Sequence, residues 1–372
     1  MCRTAGGTIR LLQRIGSIGF LVLAFYWPVS AQTGTITEWL VPTPNSLPLH
    51  IVAASDTLTY FTESGANKVA QFDTTTNMFT EWKLPGGSLP HGIILSSGTV
   101  VLCAIDGNYV GFLDPDTSHG TAWFLPTVGS GPGHLDISGT SFFITEANGN
   151  RIGLLNPGAA TITEWTIPTA NSNPWGIAVG QGTQVFFVER AAQKIAMLDT
   201  SVNTITEWSL TTKQVEHLRF SEGSVYFGDL GSNVVATLNP VTNVVSWWQV
   251  PTASAGIPDV FVSSGMINFT ERRGNKIGLL DPLNGTTETV TPVVTSVSPA
   301  TTTVRSESGQ LEPSINVGTP NVTVENGMVT GVFTEWEVPT VSSQPFGISV
   351  IDNIVFFTEY SGDTVATLTT SP

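Results

Sequence analysis

The chain has 372 residues, of which 41% are hydrophobic and only 12% charged, about half the charged fraction of an average globular protein. Its 37 glycines and 23 prolines exclude coiled coils and helical repeats and favour many short strands joined by turns. The formal net charge of −15 gives no general attraction to phosphate backbones, so we expect no nucleic-acid partner.

Residues 1–31 have the layout of a secretory signal peptide. Arg3, Arg10 and Arg14 precede an apolar run, and small residues ending at Ala31 resemble a cleavage site. The apolar run is short for a membrane span, although an uncleaved anchor is the alternative interpretation. We therefore expect a secreted or periplasmic protein whose mature domain covers residues 32–372, with no membrane association after cleavage.

One repeat fills the mature chain. The phrase Thr-Glu-Trp recurs with a period of roughly 40–45 residues, and between its copies stand the phrases Pro-x-Gly-Ile, Phe-Thr-Glu and Asn-Lys-Ile-Gly. Its Glu-Trp pairs are Glu38-Trp39, Glu81-Trp82, Glu164-Trp165, Glu207-Trp208 and Glu335-Trp336. We name the four predicted strands A (Gly-Ile), B (Phe-Thr-Glu), C (Asn-Lys-Ile-Gly) and D (Thr-Glu-Trp), and we expect the Trp and Phe side chains to pack between units. Four strands at this period predict a β-propeller.

The repeat predicts an all-β fold of seven four-stranded antiparallel blades. The A-B-C sets start near Ile51, Ile93, Leu135, Ile177, Leu218, Val260 and Ile348. The mature chain opens with an isolated strand D and finishes with a set that lacks one, so pairing of the two closes the ring. A Thr/Val/Pro-rich insertion near 290–332, in the D region of the sixth blade, carries none of the phrases. The alternative is a degenerate eighth blade.

Together these phrases resemble the streptogramin (virginiamycin B) lyases over about residues 34–290 and 332–370. The resemblance implies a seven-bladed propeller and a carbon–oxygen lyase that opens an ester or lactone of a cyclic depsipeptide by elimination, with magnesium as a divalent metal cofactor. The family's chemistry depends on Pro-His-x-Ile motifs in late blades, with glutamates nearby. Here Pro90-His91-Gly92-Ile93 matches that motif in the second blade, which makes His91 the candidate general base. The corresponding segments of the late blades contain Asp259 and Phe346 and no histidine.

Four of the five histidines fall where strand A begins, in the repeat positions that we expect to face the central channel at one end of the propeller. Relative to the Pro-His motif, His50 and His134 are shifted by one residue, which on a regular strand turns the side chain to the other face. Imidazole serves as a general base near neutral pH or as a metal ligand. The candidate residues are His91, His134 and His50 for catalysis, His217, Asp259 and Glu216 for a metal, and Trp175 and Phe346 for substrate contact. The structural alternative is that these histidines only satisfy loop carbonyls.

The acids that end strand B recur in most blades. They are Glu63, Glu146, Glu189, Asp229, Glu271 and Glu359. Their repetition favours a structural role, such as capping backbone N–H groups at the next turn.

Two functions are consistent with the sequence. The first is an exported lyase-like enzyme that acts on a small-molecule, peptide or depsipeptide ligand at the channel mouth. The second is a non-catalytic propeller that binds a ligand or a protein on the same face. In either case we expect a monomer.

Overall fold

The computed structural model describes residues 33–210, 214–282, 285–326, 328–330 and 333–370. Within these ranges the regular elements are all β-strands, and they form seven antiparallel sheets. The innermost strands of successive sheets contact one another around a full circle, with the first sheet touching the last. The seven-bladed propeller is therefore confirmed, and no eighth sheet is present among the described strands.

Four strands of each blade come from the predicted repeat. From blade I to blade VII, the innermost strands A are Pro48–Ala53, Pro90–Ser96, Pro132–Ser138, Pro174–Val179, Val215–Ser221, Val260–Ser263 and Pro345–Ile351. Strands B are Leu58–Glu63, Thr99–Ala104, Ser141–Glu146, Gln184–Glu189, Ser224–Asp229, Met266–Glu271 and Ile354–Glu359. Strands C are Lys68–Asp73, Tyr109–Asp114, Arg151–Asn156, Lys194–Asp199, Val234–Asn239, Lys276–Leu280 and Thr364–Thr370. Strands D are Met78–Lys83, His119–Phe124, Thr161–Thr166, Thr204–Ser209, Val244–Gln249, Phe333–Glu337 and Thr33–Leu40.

The ring closes as the sequence predicts. Thr33–Leu40 is strand D of blade VII and pairs antiparallel with Thr364–Thr370, in a register that runs from Gly34 opposite Thr370 to Leu40 opposite Thr364. Two distant parts of the chain thus complete the sheet of blade VII.

Each blade has five strands instead of the four that we predicted. The fifth strands come from the Thr/Val/Pro-rich insertion, which leaves the ring after strand C of blade VI and passes backwards along the outer edge of every blade before it returns as strand D of the same blade. We call these fifth strands the belt. In chain order they are Thr286–Thr289 on blade V, Pro292–Ser296 on IV, Pro299–Thr303 on III, Ser306–Gln310 on II, Pro313–Val317 on I, Pro320–Asn326 on VII and Met328–Thr330 on VI.

Tryptophans of strand D fill the seams between blades, as predicted. Trp82 and Trp208 are each 1% exposed. The indole N–H of Trp208 donates to the side chain of Asn243, which lies in the turn between strands C and D of the next blade, at 2.9 Å. The Thr-Glu-Trp phrase is therefore a packing signal in this chain. Among the residues that the structure describes, no helix is long and apolar enough to cross a membrane.

Candidate active site at the axial opening

The candidate residues lie in a β-bulge at the start of strand A. In the described sheets of six blades the first residue of strand A pairs with strand B, the next two residues of strand A have no pairing partner, and pairing then resumes. In blade II, for example, Pro90 and Ile93 are paired and the two residues between them are not. We call the skipped residues the second and third positions of strand A, and in blade VI Pro258 and Asp259 stand at the same offset. The second positions hold Leu49, His91, Gly133, Trp175, Glu216 and Phe346, and the third positions hold His50, Gly92, His134, Gly176, His217 and Gly347.

The bulge brings histidines from both positions together at the axis. The ring centroid of His50 lies 4.7 Å from that of His91, 4.7 Å from that of His134 and 4.5 Å from that of His217. The rings of His134 and His217 are 4.2 Å apart. A one-residue shift turns a side chain to the other face only on a regular strand, and the bulge removes that constraint here.

Glycine at the third position of one blade makes room for the next blade. The pairs are Gly92 with His134, Gly176 with His217 and Gly347 with His50. A Cβ atom on Gly176 would lie 2.8 Å from the Cα of His217 and 2.5 Å from the carbonyl oxygen of Glu216, both backbone atoms. From blade I to blade V, histidine and glycine therefore alternate at the third position, because a side chain on the glycine would collide with the backbone of the next blade.

The threonine of Phe-Thr-Glu fixes the bulge in place. The backbone N–H of His50 donates to Oγ1 of Thr62 at 3.2 Å, and that hydroxyl donates to the backbone carbonyl of His91 in the next blade at 3.0 Å. Thr145 and Thr358 make the equivalent bonds at two other seams. Strand B thus positions the site residues of its own blade and of the neighbour.

Each of the four imidazoles has a buried nitrogen with no hydrogen-bond partner. The atoms are Nε2 of His50, His134 and His217, and Nδ1 of His91. The first three residues are buried, with exposures of 5%, 7% and 1%, whereas His91 is partly exposed. A channel cavity of about 220 Å³ opens beside the three buried rings. The Nε2 atoms of His50, His134 and His217 therefore lack a protein partner in rings that line this cavity.

The four axial histidines are neutral at neutral pH. Burial, followed by the positive charge of Arg190, lowers the pKa of His91 to about 3, while a bond to the backbone of Gly133 acts in the opposite direction. Burial also holds the pKa of His217 well below its usual value, helped by Arg219. Unprotonated rings can accept a proton or donate a lone pair to a metal.

Two aromatic side chains border the opening, and each carries an arginine. The ring of Trp175 lies 4.8 Å from the ring of His91, and the guanidinium of Arg190 lies 4.2 Å above the same indole. Phe346 lies 5.5 Å from His50 and has Arg272 at 5.3 Å. The indole N–H of Trp175 is buried without a partner. The opening is therefore bordered by the apolar faces of two aromatic rings, by two guanidinium groups and by one unpaired indole N–H.

The two predicted metal-binding acids have different surroundings. Donor atoms of Asp259, His50 and His217 all lie within 4.8 Å of one another. Asp259 also accepts a contact from Arg219 at 3.4 Å. Glu216 instead pairs with Arg190 at 3.7 Å, next to Trp175.

The acids of strand B form buried pairs with the acids of strand D. Burial, and then the Glu81 carboxylate, raise the pKa of Glu63 to about 9, so that its carboxyl group is protonated at neutral pH. The pairs are Glu63 with Glu81, Glu146 with Glu164, Glu189 with Glu207, Glu271 with Glu335 and Glu359 with Glu38. In blade II alanine occupies both positions, as Ala104 and Ala122. These acids have a structural role, as expected. Five of them pair with a carboxylate within the blade, whereas Asp229 accepts the backbone N–H groups of Gly231 and Ser232 in the next turn, which is the predicted cap.

The family model of the virginiamycin B lyases matches residues 29–264. The chain belongs to the virginiamycin B lyase family. No curated protein matches the chain in sequence.

Solved lyase structures share this family's fold with the chain. Virginiamycin B lyase from Staphylococcus aureus is 19% identical with a TM-score of 0.71, over 90% of this chain and 99% of that chain. A catalytically inactive histidine-to-alanine variant of the same enzyme with quinupristin is 20% identical with a TM-score of 0.70, over 90% and 99%. A streptogramin B lyase is 20% identical with a TM-score of 0.72, over 91% and 98%. At these identities the likeness shows the fold alone.

Magnesium, which the virginiamycin B lyase family implies, fits the residues at this opening poorly. Mg²⁺ prefers six oxygen ligands in a regular octahedron. Here the converging donors are mainly imidazole nitrogens, and the nearby carboxylates of Asp259 and Glu216 each face an arginine. We therefore derive no catalytic step through magnesium.

Sequence reasoning missed the arginines. Arg190 and Arg272 directly follow the acid of strand B in their blades, and Tyr360 occupies the same position in blade VII. Its ring lies 6.1 Å from that of Phe346. All three residues stand one position after Phe-x-Glu. Large cationic or aromatic residues at that repeat position were the sequence signal for side chains that border the opening.

Proposed function

We propose that this member of the virginiamycin B lyase family is an exported lyase that opens an ester or lactone bond by elimination at the axial opening. The observation that carries the proposal is one contact group: the partly exposed imidazole of His91 beside Trp175, with Arg190 stacked on the same indole.

His91 is the base in this reaction. Its unprotonated, partly exposed imidazole removes a proton from the carbon next to a carbonyl group, as a general base does. The electron pair left on carbon forms the new C=C bond, the C–O bond of the ester breaks, and the carboxylate leaves. Atoms balance without water.

Arg190 stabilises the developing negative charge. Its guanidinium is fixed over Trp175 at 4.2 Å and paired with Glu216 at 3.7 Å, so it is already oriented at the mouth. A preorganised cation at the enolate oxygen lowers the barrier because it needs no reorganisation during the reaction. Trp175 and Phe346 supply the apolar contact area for the ring of a cyclic substrate.

The test is product analysis by mass spectrometry. Purified mature protein is incubated with a type B streptogramin, a linear depsipeptide ester and a simple lactone. From the two cyclic compounds, elimination gives one ring-opened product of unchanged mass with a new C=C absorbance, and from the linear ester it gives an acid and an alkene. Hydrolysis adds one water molecule in each case. We expect His91→Ala to abolish turnover and His119→Ala, which changes the exposed histidine of strand D in blade II, to retain it. Hydrolysis, or equal activity of both variants, would contradict the proposal.

A non-catalytic binding propeller is the second candidate. The observation in its favour is that the carboxylates of Asp259 and Glu216 face arginines, which leaves the oxygen-rich metal site implied by the family incomplete. Saturable binding of the same compounds by calorimetry, with no product formed, would establish this second function.

We also propose that the chain is exported through residues 1–31 and then acts as a monomer, with no nucleic-acid partner. Expression with fractionation should give a secreted or periplasmic protein whose N-terminal residue is Gln32. Light scattering on the purified protein should give the mass of one chain. An intact N-terminus in the membrane fraction would argue for the uncleaved anchor.

A further inference from the structure

The third position of strand A forms a ring of donor atoms that the proposed elimination does not use. His50, His134, His217 and Asp259 occupy it in blades I, III, V and VI. The imidazoles of His50 and His217 have centroids 4.5 Å apart, and one donor atom from each lies within 4.8 Å of a carboxylate oxygen of Asp259. The ring of His134 lies against both imidazoles, at 4.7 and 4.2 Å.

The unpartnered nitrogens of these rings require an explanation. A buried polar atom without a hydrogen bond costs about 1–3 kcal/mol, and Nε2 of His50, His134 and His217 are three such atoms at one place. Glycines of the neighbouring blades let the backbones of His134, His217 and His50 approach closely, which holds their rings together at the axis. If these side chains only filled the space at the axis, apolar residues would serve better, because they leave no polar atom unpaired. The three histidines therefore indicate a ligand that accepts nitrogen lone pairs.

The donor set selects the class of metal. Several imidazoles with one carboxylate suit first-row transition ions, whose affinities for such ligands rise along the series from Mn²⁺ to Cu²⁺ and are high for Zn²⁺. The Asp259 carboxylate is already oriented, because the backbone N–H groups of Val260 and Ile348 donate to it at 2.9 and 3.3 Å. Outer contacts of this kind fix ligand geometry in metal sites. Arg219, at 3.4 Å, faces the same carboxylate and competes with the ion.

We propose that the axial ring binds one first-row transition-metal ion, of which Zn²⁺ is the test case, through His50, His217 and Asp259, whose donor atoms converge. The site stands whether or not the chain is a lyase, because His91, whose donor atom groups with those of His50 and His134, is not a ligand in the set of His50, His217 and Asp259.

The first experiment measures binding. Mature protein freed of metal with a chelator is titrated calorimetrically with Zn²⁺ and with Mg²⁺, and Co²⁺ is added in parallel as a spectroscopic probe. We expect one Zn²⁺ per chain, at least about 100-fold tighter than Mg²⁺, and visible Co²⁺ absorption bands. Failure to bind Zn²⁺, or equal affinity for Mg²⁺, would overturn the proposal without bearing on the elimination assay.

The second experiment separates ligation from packing. In the metal-free protein His217→Ala leaves a cavity at a buried position, so we expect its melting temperature to fall through lost packing; with Zn²⁺ the variant should fall further below the parent, because it lacks the stabilisation that the parent gains. Asp259→Asn tests the carboxylate in the same way, and His119→Ala, at an exposed strand outside the ring, is the matched control. If His217→Ala lowers the melting temperature equally with and without Zn²⁺, the histidine is structural and the site is refuted.

Discussion

At the scale of single residues, this propeller places its chemistry at a repeat position that glycine otherwise occupies. Three blades keep Gly at the third position of strand A, and three others carry His50, His134 and His217 there. Each glycine stands against the backbone of the following blade, so the small residue of one blade creates the space for the functional residue of the next.

The alternation can be tested at Gly176. We expect Gly176→Ala to lower the free energy of unfolding by about 1–3 kcal/mol, because the new Cβ would lie 2.5 Å from the carbonyl oxygen of Glu216 and the backbone must move. Gly158→Ala is the matched control, since its Cβ would meet only the Asn156 side chain at 3.5 Å. Equilibrium denaturation of both variants measures the difference. Equal stabilities would mean that the seam is loose enough to absorb the methyl group.

Part of the site could be predicted from the sequence. The four histidines share the start of strand A in different blades, and a closed ring brings such positions to one axis. The sequence alone does not show the bulge, since nothing in Pro-His-Gly-Ile states that two residues are skipped in the pairing. It also does not show that Arg190 and Arg272 return to the opening, because strand B delivers them from a separate turn.

At the scale of elements, the belt has a period of its own. In the links between its strands, Val297, Val304 and Leu311 follow one another every seventh residue, and each one donates its backbone N–H to a turn between strands C and D. Proline opens four of the seven belt strands, as Pro299 does opposite Trp165. One heptad therefore spans one blade. A search for the four propeller phrases cannot find this repeat. Its residues pair with the outer edge of each blade, and none of the phrases occurs among them.

The belt is held by few apolar contacts, of which Val304 is the most buried at 7% exposure. We expect Val304→Asp to destabilise the protein by more than about 2 kcal/mol, since it buries an unpaired carboxylate in the core between blades II and III. Val294→Asp, at a belt residue that is 62% exposed, should change stability by less than about 0.5 kcal/mol. Chemical denaturation compares the two, and similar small effects would show that the belt lies on the ring without supporting it.

At the scale of the whole molecule, five buried carboxyl pairs distributed around the ring link stability to pH. In each pair the strand-B acid has its pKa raised, by burial first and then by the neighbouring acid, to about 9 in Glu63 and about 8 in the other four. The folded state therefore holds protons that the unfolded chain releases above its ordinary pKa of 4.5.

The sign of this linkage gives a prediction. Because the folded pKa is raised, the stabilisation is complete at low pH and is lost as pH rises through 8–9, so we expect the melting temperature to fall from pH 7 to pH 9. The axial histidines do not contribute in that window, since they are neutral in both states. Glu63→Gln, which mimics the protonated acid next to Glu81, Lys68 and Asp363, should flatten the decline relative to the parent. Glu222→Gln, at an exposed turn, should leave it unchanged.

The belt also determines the order in which the molecule can be completed. Ser314 bonds to the backbone of Glu81 although the two residues are 233 positions apart in the chain. Contacts of such long range slow folding, since the intervening segment must be organised before they can form. The belt strands that pair with strands D of the early blades are synthesised late. Until they are made, the outer backbone N–H and C=O groups of those strands D have no strand to pair with.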